Sequence, residues 1–366
     1  MAIVRLAGSV LGEEDPNRPT RAKLLYLLFD GGWDIYNSNG DQRITLSNIQ
    51  KKIAESDAFV FTPGATLEDL FKLTSIFVGY QTLDRQLAGK ATVILNSDGS
   101  WDAYFALLRH LQRLGTIRQE FSDYLLEVRS PKDVLTKLRA AGRRGKVAIA
   151  DPGRHTATTG KVESFESEPG SEADTNVCVF CSATIEDPAY MRDGYALGKM
   201  LAEGGHGCVS GAGSSGIMGA VVRGAAENGG WTGGSNVPHI IELEGLPDGL
   251  SAFWPRPDIY TRMEVMIERS EAFVAFPGGA GTVQETLALL ILKQQGSQLM
   301  RGKPVVVFNR KDADGVSFWN PFLALLDHLG LGELLVAVDS LDAIIPTIES
   351  ARAAADPGVA EGRSVA

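Results

Sequence analysis

The chain carries its own core pattern twice, and this limits its architecture more than any other feature. Ser56-Asp-Ala-Phe-Val-Phe-Thr-Pro-Gly64 returns as Ser270-Glu-Ala-Phe-Val-Ala-Phe-Pro-Gly278, identical at six of nine positions. An apolar-periodic helix follows each copy, then a strand that opens with Gly-Lys and closes on Asn, Gly89 to Asn96 and Gly302 to Asn309. Next, Ala106-Leu-Leu-Arg-His-Leu111 matches Ala324-Leu-Leu-Asp-His-Leu329. A chain of 366 residues suits two domains of roughly 150–200 residues each, so the repeat reads as a tandem duplication.

The copies are unequal. Sixteen of the 41 glycines lie between Gly194 and Gly249, in a stretch that the first copy lacks. The expected division is a first repeat over 1–145, a linker over 146–175, a second repeat over 176–354 and a tail over 355–366. Asp151 to Thr175 is rich in Gly, Ser, Thr, Asp and Glu without apolar period, the composition of a flexible linker. In the second repeat, short apolar runs at 176–181, 207–211, 234–241, 271–276 and 303–308 read as strands. They alternate with helical patterns near 188–203, 216–228, 258–270, 281–293 and 319–329. This alternation predicts an α/β fold with a doubly wound parallel sheet, Rossmann-like, in two tandem related domains. In such sheets ligands bind beyond the carboxyl ends of the strands, so chemistry is sought there.

Composition excludes several classes. With 35 Lys and Arg against 45 Asp and Glu, the net charge of −10 argues against a nucleic-acid partner. No apolar run approaches ~18 residues, and the best, Leu287 to Leu292, stops at Lys293, so no membrane association is expected. Arg5, Glu13, Glu14 and Asp15 break up any signal peptide. Three cysteines cannot build a disulfide framework, which points to a reducing cytoplasm. Cys178 and Cys181 have zinc-like spacing, but on a strand they point to opposite faces and read as buried thiols. The histidines show no metal spacing, and no metal or cofactor is expected.

Two glycine-rich turns carry the functional signal. Ser210-Gly-Ala-Gly-Ser-Ser-Gly-Ile-Met-Gly219 contains Gly211, Gly213 and Gly216 in G-x-G-x-x-G spacing running into a helix. Glycines let backbone approach a phosphate, and a helix N-terminus offers free N–H groups. A dehydrogenase would want an acid ~20 residues on, where Asn236 stands. The second turn, Phe276-Pro-Gly-Gly-Ala-Gly-Thr-Val-Gln-Glu285, reads as a second anion cradle, with Thr282 starting a helix whose first turn carries Glu285. A carboxylate there repels an anionic ligand, so chemistry is its better role; the competing reading is an acid favourably placed at a helix start. Arg262 lies near the start of the preceding helix, at the edge of the Met263, Val265, Met266, Ile267 stripe, where a surface Arg is the ordinary expectation.

These residues resemble the LOG ("Lonely guy") family, cytokinin-activating phosphoribohydrolases once filed as lysine decarboxylases. The resemblance covers about 176–330 and rests on four motifs. They are Cys181-Ser-Ala-Thr184, Gly216-Ile-Met-Gly219, the Gly229–Pro238 segment, and Arg262 followed by Pro277 to Glu285. It implies Arg262 and Glu285 as the catalytic pair. It implies substrate binding by Gly278, Gly279, Ala280, Gly281 and Thr282, with Gly211, Gly213, Ser214, Gly216 and Met218 on the other side. It further implies hydrolysis of a nucleoside 5′-monophosphate, a cytokinin riboside 5′-monophosphate among the options, by a homodimer or larger homo-oligomer. Met263 replaces the family's Lys, Gln284 the first Glu of its Glu-Glu pair, and Ala212 a glycine. Lys293 and Lys303 show no Schiff-base setting, which argues against a decarboxylase.

The first repeat departs further. Its loop, Pro63-Gly-Ala-Thr66, is two residues short, Asn48 stands for Arg262 and Asp69 for Glu285. It reads as a degenerate, non-catalytic domain. The alternative for the whole chain is a non-catalytic nucleotide or phosphorylated-cofactor binding protein, a sensor or carrier.

Overall fold

The computed structural model describes residues 2–8, 14–37, 46–117, 119–143, 163–166, 173, 175–312 and 314–355. The chain divides into two compact units, Met1–Thr156 and Ala157–Ala366. In the first, β1 (Ala2–Ala7), α1 (Arg18–Asp30), β2 (Trp33–Asn37), α2 (Leu46–Ala54), β3 (Ala58–Phe61) and α3 (Leu67–Gln81) are followed by β4 (Ala91–Leu95), α4 (Asp102–Arg113), β5 (Leu125–Val128) and α5 (Pro131–Arg143). The strands form a five-stranded sheet of order β2-β1-β3-β4-β5, parallel throughout.

The second unit opens with β6 (Phe165–Glu166), β7 (Asn176–Phe180), α6 (Pro188–Glu203), β8 (Gly207–Ser210), α7 (Gly216–Glu227) and β9 (Thr232–Gly234). It continues through α8 (Pro238–Glu244), β10 (Ala252–Phe253), α9 (Ile259–Glu268), β11 (Ala272–Ala275) and α10 (Ala280–Gln294). It ends with β12 (Val305–Phe308), α11 (Asn320–His328), β13 (Val336–Val338) and α12 (Ile344–Ala355). Its eight strands run β13-β12-β11-β7-β8-β9-β10-β6, parallel except for β6 on β10. Read from β8 to β13, this order reproduces the first sheet strand for strand, so the duplication extends to topology. The tandem doubly wound α/β architecture is therefore as the sequence predicts.

Runs such as Ala272-Phe-Val-Ala275 and Val305-Val-Val-Phe308 are buried at every position, because helices cover both faces of a parallel sheet. Leu24 and Leu28 of α1 and Leu197 and Leu201 of α6 are wholly buried counterparts. Aligned on these leucines, Gly198 corresponds to Leu25 of the first repeat. A Cβ on Gly198 would lie 2.0 Å from the Val221 carbonyl oxygen, and one on Gly224 would lie 2.1 Å from that of Tyr195. Thus α6 and α7 cross backbone on backbone. Leu25 on α1 would forbid that crossing, and among the described residues of the first unit no helix lies between β2 and α2.

Two expectations are corrected. The run 234–241 is not one strand: β9 stops at Gly234, and Pro238 heads α8. Proline at the first helical position is preorganised for a helix, and Ile240 and Ile241 supply helical rather than alternating burial. Within the stretch read as linker, Phe165 and Glu166 pair antiparallel with β10. Most of that stretch, 146–162 with 167–172 and 174, and the tail from 356, lie outside the described residues. Among the described residues no helix is long and apolar enough to cross a membrane.

Candidate active site

The exits of β7 and β11 flank the point where strand order reverses, the crevice in which doubly wound sheets bind ligands. Both glycine-rich turns open beside it. After β8, Gly211, Ala212 and Gly213 are buried, and Ser214 is half-buried. The Gly213 N–H donates to the Met218 sulfur at 3.0 Å, folding the turn onto α7. Gly216 has φ +59° and presses against Ala183, leaving no room for a Cβ. Ala212 has φ 52° and is fully buried. This left-handed conformation costs a non-glycine residue about 1 kcal/mol, and Ser210 helps to hold it by accepting the Ala212 N–H.

After β11 the loop turns on Pro277, whose carbonyl accepts the Ser182 N–H at the end of β7. Gly279 is the N-cap of α10 in an extended conformation, so Ala280 and Gly281 are already helical. Here the structure corrects the sequence reading: the helix starts at Ala280 rather than Thr282, and Glu285 lies in its second turn. The competing role of Glu285 as a first-turn acid falls away. Thr282 is buried and folds back on Gly278, where an added Cβ would lie 2.1 Å from its Oγ1. Gly281 faces open space in its Cβ direction, and Gly279 is half-buried. The loop thus presents backbone outward at the N-terminus of α10, as an anion cradle requires.

Arg262 is not a surface residue. Its Nε–H donates to the Ser235 carbonyl at 2.9 Å and Nη2 to that of Gly211 at 3.3 Å. Nη2 also lies 3.9 Å from Glu285 Oε1, with the two side chains only 11% and 12% exposed. Asp258 caps α9 by accepting the Tyr260 and Thr261 N–H groups, which fixes the turn that carries Arg262. The buried thiol of Cys178 is within electrostatic reach of both groups. Burial pushes it well above the usual thiol range, and the Glu285 carboxylate adds to this. None of the three cysteines forms a disulfide, and all are buried, Cys178 and Cys181 as expected of them.

The structure therefore assembles Arg262, Glu285, the Gly278–Thr282 loop and the Gly211–Met218 turn around one set of strand exits. Sequence reasoning missed Ser235, whose carbonyl anchors Arg262; a carbonyl is common to every residue and leaves no compositional mark. Gly211 is explained more sharply than by ligand approach alone. A Cβ there would come within 2.0 Å of Arg262 Nη2. Gly211→Ala should keep its fold, because a side-chain tip can move aside, yet displace the guanidinium and lower kcat/KM about tenfold. Steady-state kinetics beside a melting curve checks this, and unchanged kinetics would mean that the position of Arg262 is immaterial.

The first unit is built differently at the same strand exits. Thr66 caps α3 by accepting the Asp69 N–H, and its Oγ1 donates to Asp69 Oδ2 at 2.7 Å, so Asp69 is engaged in its own helix cap. Burial pushes the Asp69 carboxyl up, against the pull of Lys72 and Thr66. Arg21 of α1 is also buried, which lowers its pKa, and the Asp69 charge opposes that shift. The Gly64 N–H donates to Asp98 Oδ2 at 3.0 Å and to Ser100 Oγ at 2.9 Å, and Asn17 donates to the same Asp98 oxygen. Its loop is thus occupied by side chains of its own unit. The side chain of Asn48 lies outside the described residues.

Fold and site together define a doubly wound α/β protein with a glycine-rich loop at a helix N-terminus and a largely buried arginine–carboxylate pair. The family model described as "Possible lysine decarboxylase" matches residues 218–356. A cytokinin riboside 5′-monophosphate phosphoribohydrolase of Mycobacterium marinum is 32% identical over 178 residues, 48% of this chain and 92% of that protein. The rice (Oryza sativa subsp. japonica) cytokinin riboside 5′-monophosphate phosphoribohydrolase LOG is 31% identical over 170 residues, 46% of this chain and 66% of that protein. Among solved structures, the Moco carrier protein of Chlamydomonas reinhardtii aligns at 19% identity and TM-score 0.38, over 49% of this chain and 98% of that one. The chain belongs to the LOG family of phosphoribohydrolases, through roughly half its length.

Proposed function

We propose that the second unit hydrolyses the N-glycosidic bond of a nucleoside 5′-monophosphate, releasing free base and ribose 5-phosphate. The observation that carries this reading is the Arg262–Glu285 pair, held at 3.9 Å beside the Gly278–Thr282 cradle. As the C1′–N bond breaks, its electrons leave with the base and C1′ becomes oxocarbenium-like. Water then adds at C1′, and its proton leaves to the base. A carboxylate next to C1′ stabilises the developing positive charge and orients the water, which is the role given to Glu285. Arg262 offsets the repulsion between that carboxylate and the ligand phosphate, and it holds the nucleotide in register.

The relatives' names make a cytokinin riboside 5′-monophosphate one substrate to test, whereas Met263 and Gln284 alter the surroundings of the pair and can shift the preferred base. The first unit enters as a non-catalytic companion, because Asp69 is engaged in its helix cap and the Gly64 N–H is taken by Asp98 and Ser100. Purified protein incubated with AMP, CMP and an N6-modified AMP should release free base from at least one. Binding without release would favour a carrier or sensor.

The cradle also sets a substrate requirement. Binding energy from the phosphate, remote from the reacting bond, supports rate as well as affinity. Nucleosides without the 5′-phosphate should fall by about 10²-fold in kcat/KM. Equal values for a nucleoside and its monophosphate would refute the phosphate assignment.

A further inference from the structure

We propose that Glu166, contributed by the segment between the two repeats, is a positioning residue for Arg262 that acts through Trp254 and Ser235. This rests on the role given to Arg262 above, but its structural content can be tested separately.

The inference starts from a weak edge. The last parallel strand, β10, is two residues long and pairs with β9 through Ala252 with Gly233 and Phe253 with Gly234, with one further backbone bond at each end, Ser251 N–H to the Thr232 carbonyl and Trp254 N–H to that of Gly234. So short a strand depends on what lies on its other side as well. On its other side β6 pairs Glu166 with Ala252 and Phe165 with Phe253, whose rings lie 6.0 Å apart. Glu166 adds two side-chain bonds. Its Oε1 accepts the indole N–H of Trp254, which is buried, and it also receives Arg269 Nη2 at 3.1 Å. The Arg269 guanidinium in turn lies over the Trp254 ring, 5.0 Å from its centroid. Trp254 is therefore held in its plane by a carboxylate at one edge and a cation on one face.

The backbone of Trp254 grips the next segment from both directions. Its N–H donates to the Gly234 carbonyl at 2.9 Å, and its own carbonyl accepts the Ser235 hydroxyl at 2.6 Å. The Ser235 carbonyl then accepts the Arg262 Nε–H. Glu166, Trp254, Ser235 and Arg262 are thus joined by consecutive hydrogen bonds, and Arg262 in turn lies 3.9 Å from Glu285. Ser235 is wholly buried, so its carbonyl cannot exchange Arg262 for water without moving. A shift of Trp254 is transmitted to the carbonyl that orients the guanidinium. The segment that tethers the repeats thereby supplies a support for the catalytic pair of the second.

Spatial continuity alone does not establish coupling, so the test must read the far end of the chain of bonds. The full-length chain would be prepared as wild type, Glu166→Ala and Glu166→Gln. Solvent exchange of the Arg262 Nε–H would be followed by nitrogen-15 NMR, the resonance being assigned by its loss in Arg262→Lys. The alanine variant should exchange about tenfold faster and lose about tenfold in kcat/KM, with its melting temperature little changed. The glutamine variant keeps an acceptor for the indole and should recover most of both. Unchanged Arg262 exchange in Glu166→Ala overturns the proposal and leaves β6 as an edge cover. If the wild type cleaves no nucleotide, the reading of the reaction fails, while the exchange measurement still decides whether Glu166 positions Arg262.

Discussion

Glu285→Gln should abolish most of the turnover, by ~10²–10⁴-fold, while leaving the fold and phosphate binding in place. Glutamine matches the shape of glutamate but carries no charge to set against a developing oxocarbenium. Arg262 keeps the Ser235 and Gly211 carbonyls as acceptors, so loss of the carboxylate does not leave the guanidinium without partners. The phosphate site proposed above is the Gly278–Thr282 loop, which the substitution does not touch. Base released at saturating nucleotide, measured beside phosphate titration calorimetry, separates the two effects. Near-normal turnover would remove Glu285 from the mechanism.

The largest effect on stability is expected from Gly198→Ala. The new methyl would lie 2.0 Å from the Val221 carbonyl oxygen and 2.8 Å from the Ala225 nitrogen, both backbone atoms inside α7. Flexible side chains can step aside from such a contact, whereas a helix backbone cannot, so α6 and α7 must separate. Overpacking of ordinary cores costs 1–3 kcal/mol, and a backbone collision should cost about 3 kcal/mol or more. The damage reaches function because α7 begins at Gly216, in the turn after β8. A denaturation midpoint within error of wild type would show that the helix pair is looser than its glycines imply.

The two repeats show how much of a site can be read from residues in order. Both copies carry a threonine followed three positions later by an acid, Thr66 with Asp69 and Thr282 with Glu285. By sequence the acids are equivalent, and both read as first-turn residues. The two extra loop residues of the second copy move the N-cap back to Gly279, so Thr282 lies inside the helix and Glu285 is released from capping. In the first copy Thr66 remains the cap and holds Asp69. An insertion of two residues, visible in the sequence, therefore has a consequence that depends on where the helix begins. Helix starts are set by backbone conformation at the cap, which residue type constrains only loosely.

The sequence by itself determined the duplication, the alternation of buried strands with amphipathic helices, the two glycine-rich turns and the carboxylate beside one of them. These are local properties: periodicity, turn chemistry and cap residues act within a few positions along the chain. Tertiary structure decided what Arg262 does. Its acceptors, the carbonyls of Ser235 and Gly211, lie 27 and 51 residues away. They are backbone groups that any residue type would supply. The same holds for Arg21, which shares α1 with the core leucines and is brought within electrostatic reach of Asp69 when the first sheet forms. Contacts of this kind exist only once strands have been ordered and helices laid across them, and an acceptor without residue identity leaves no trace in the sequence.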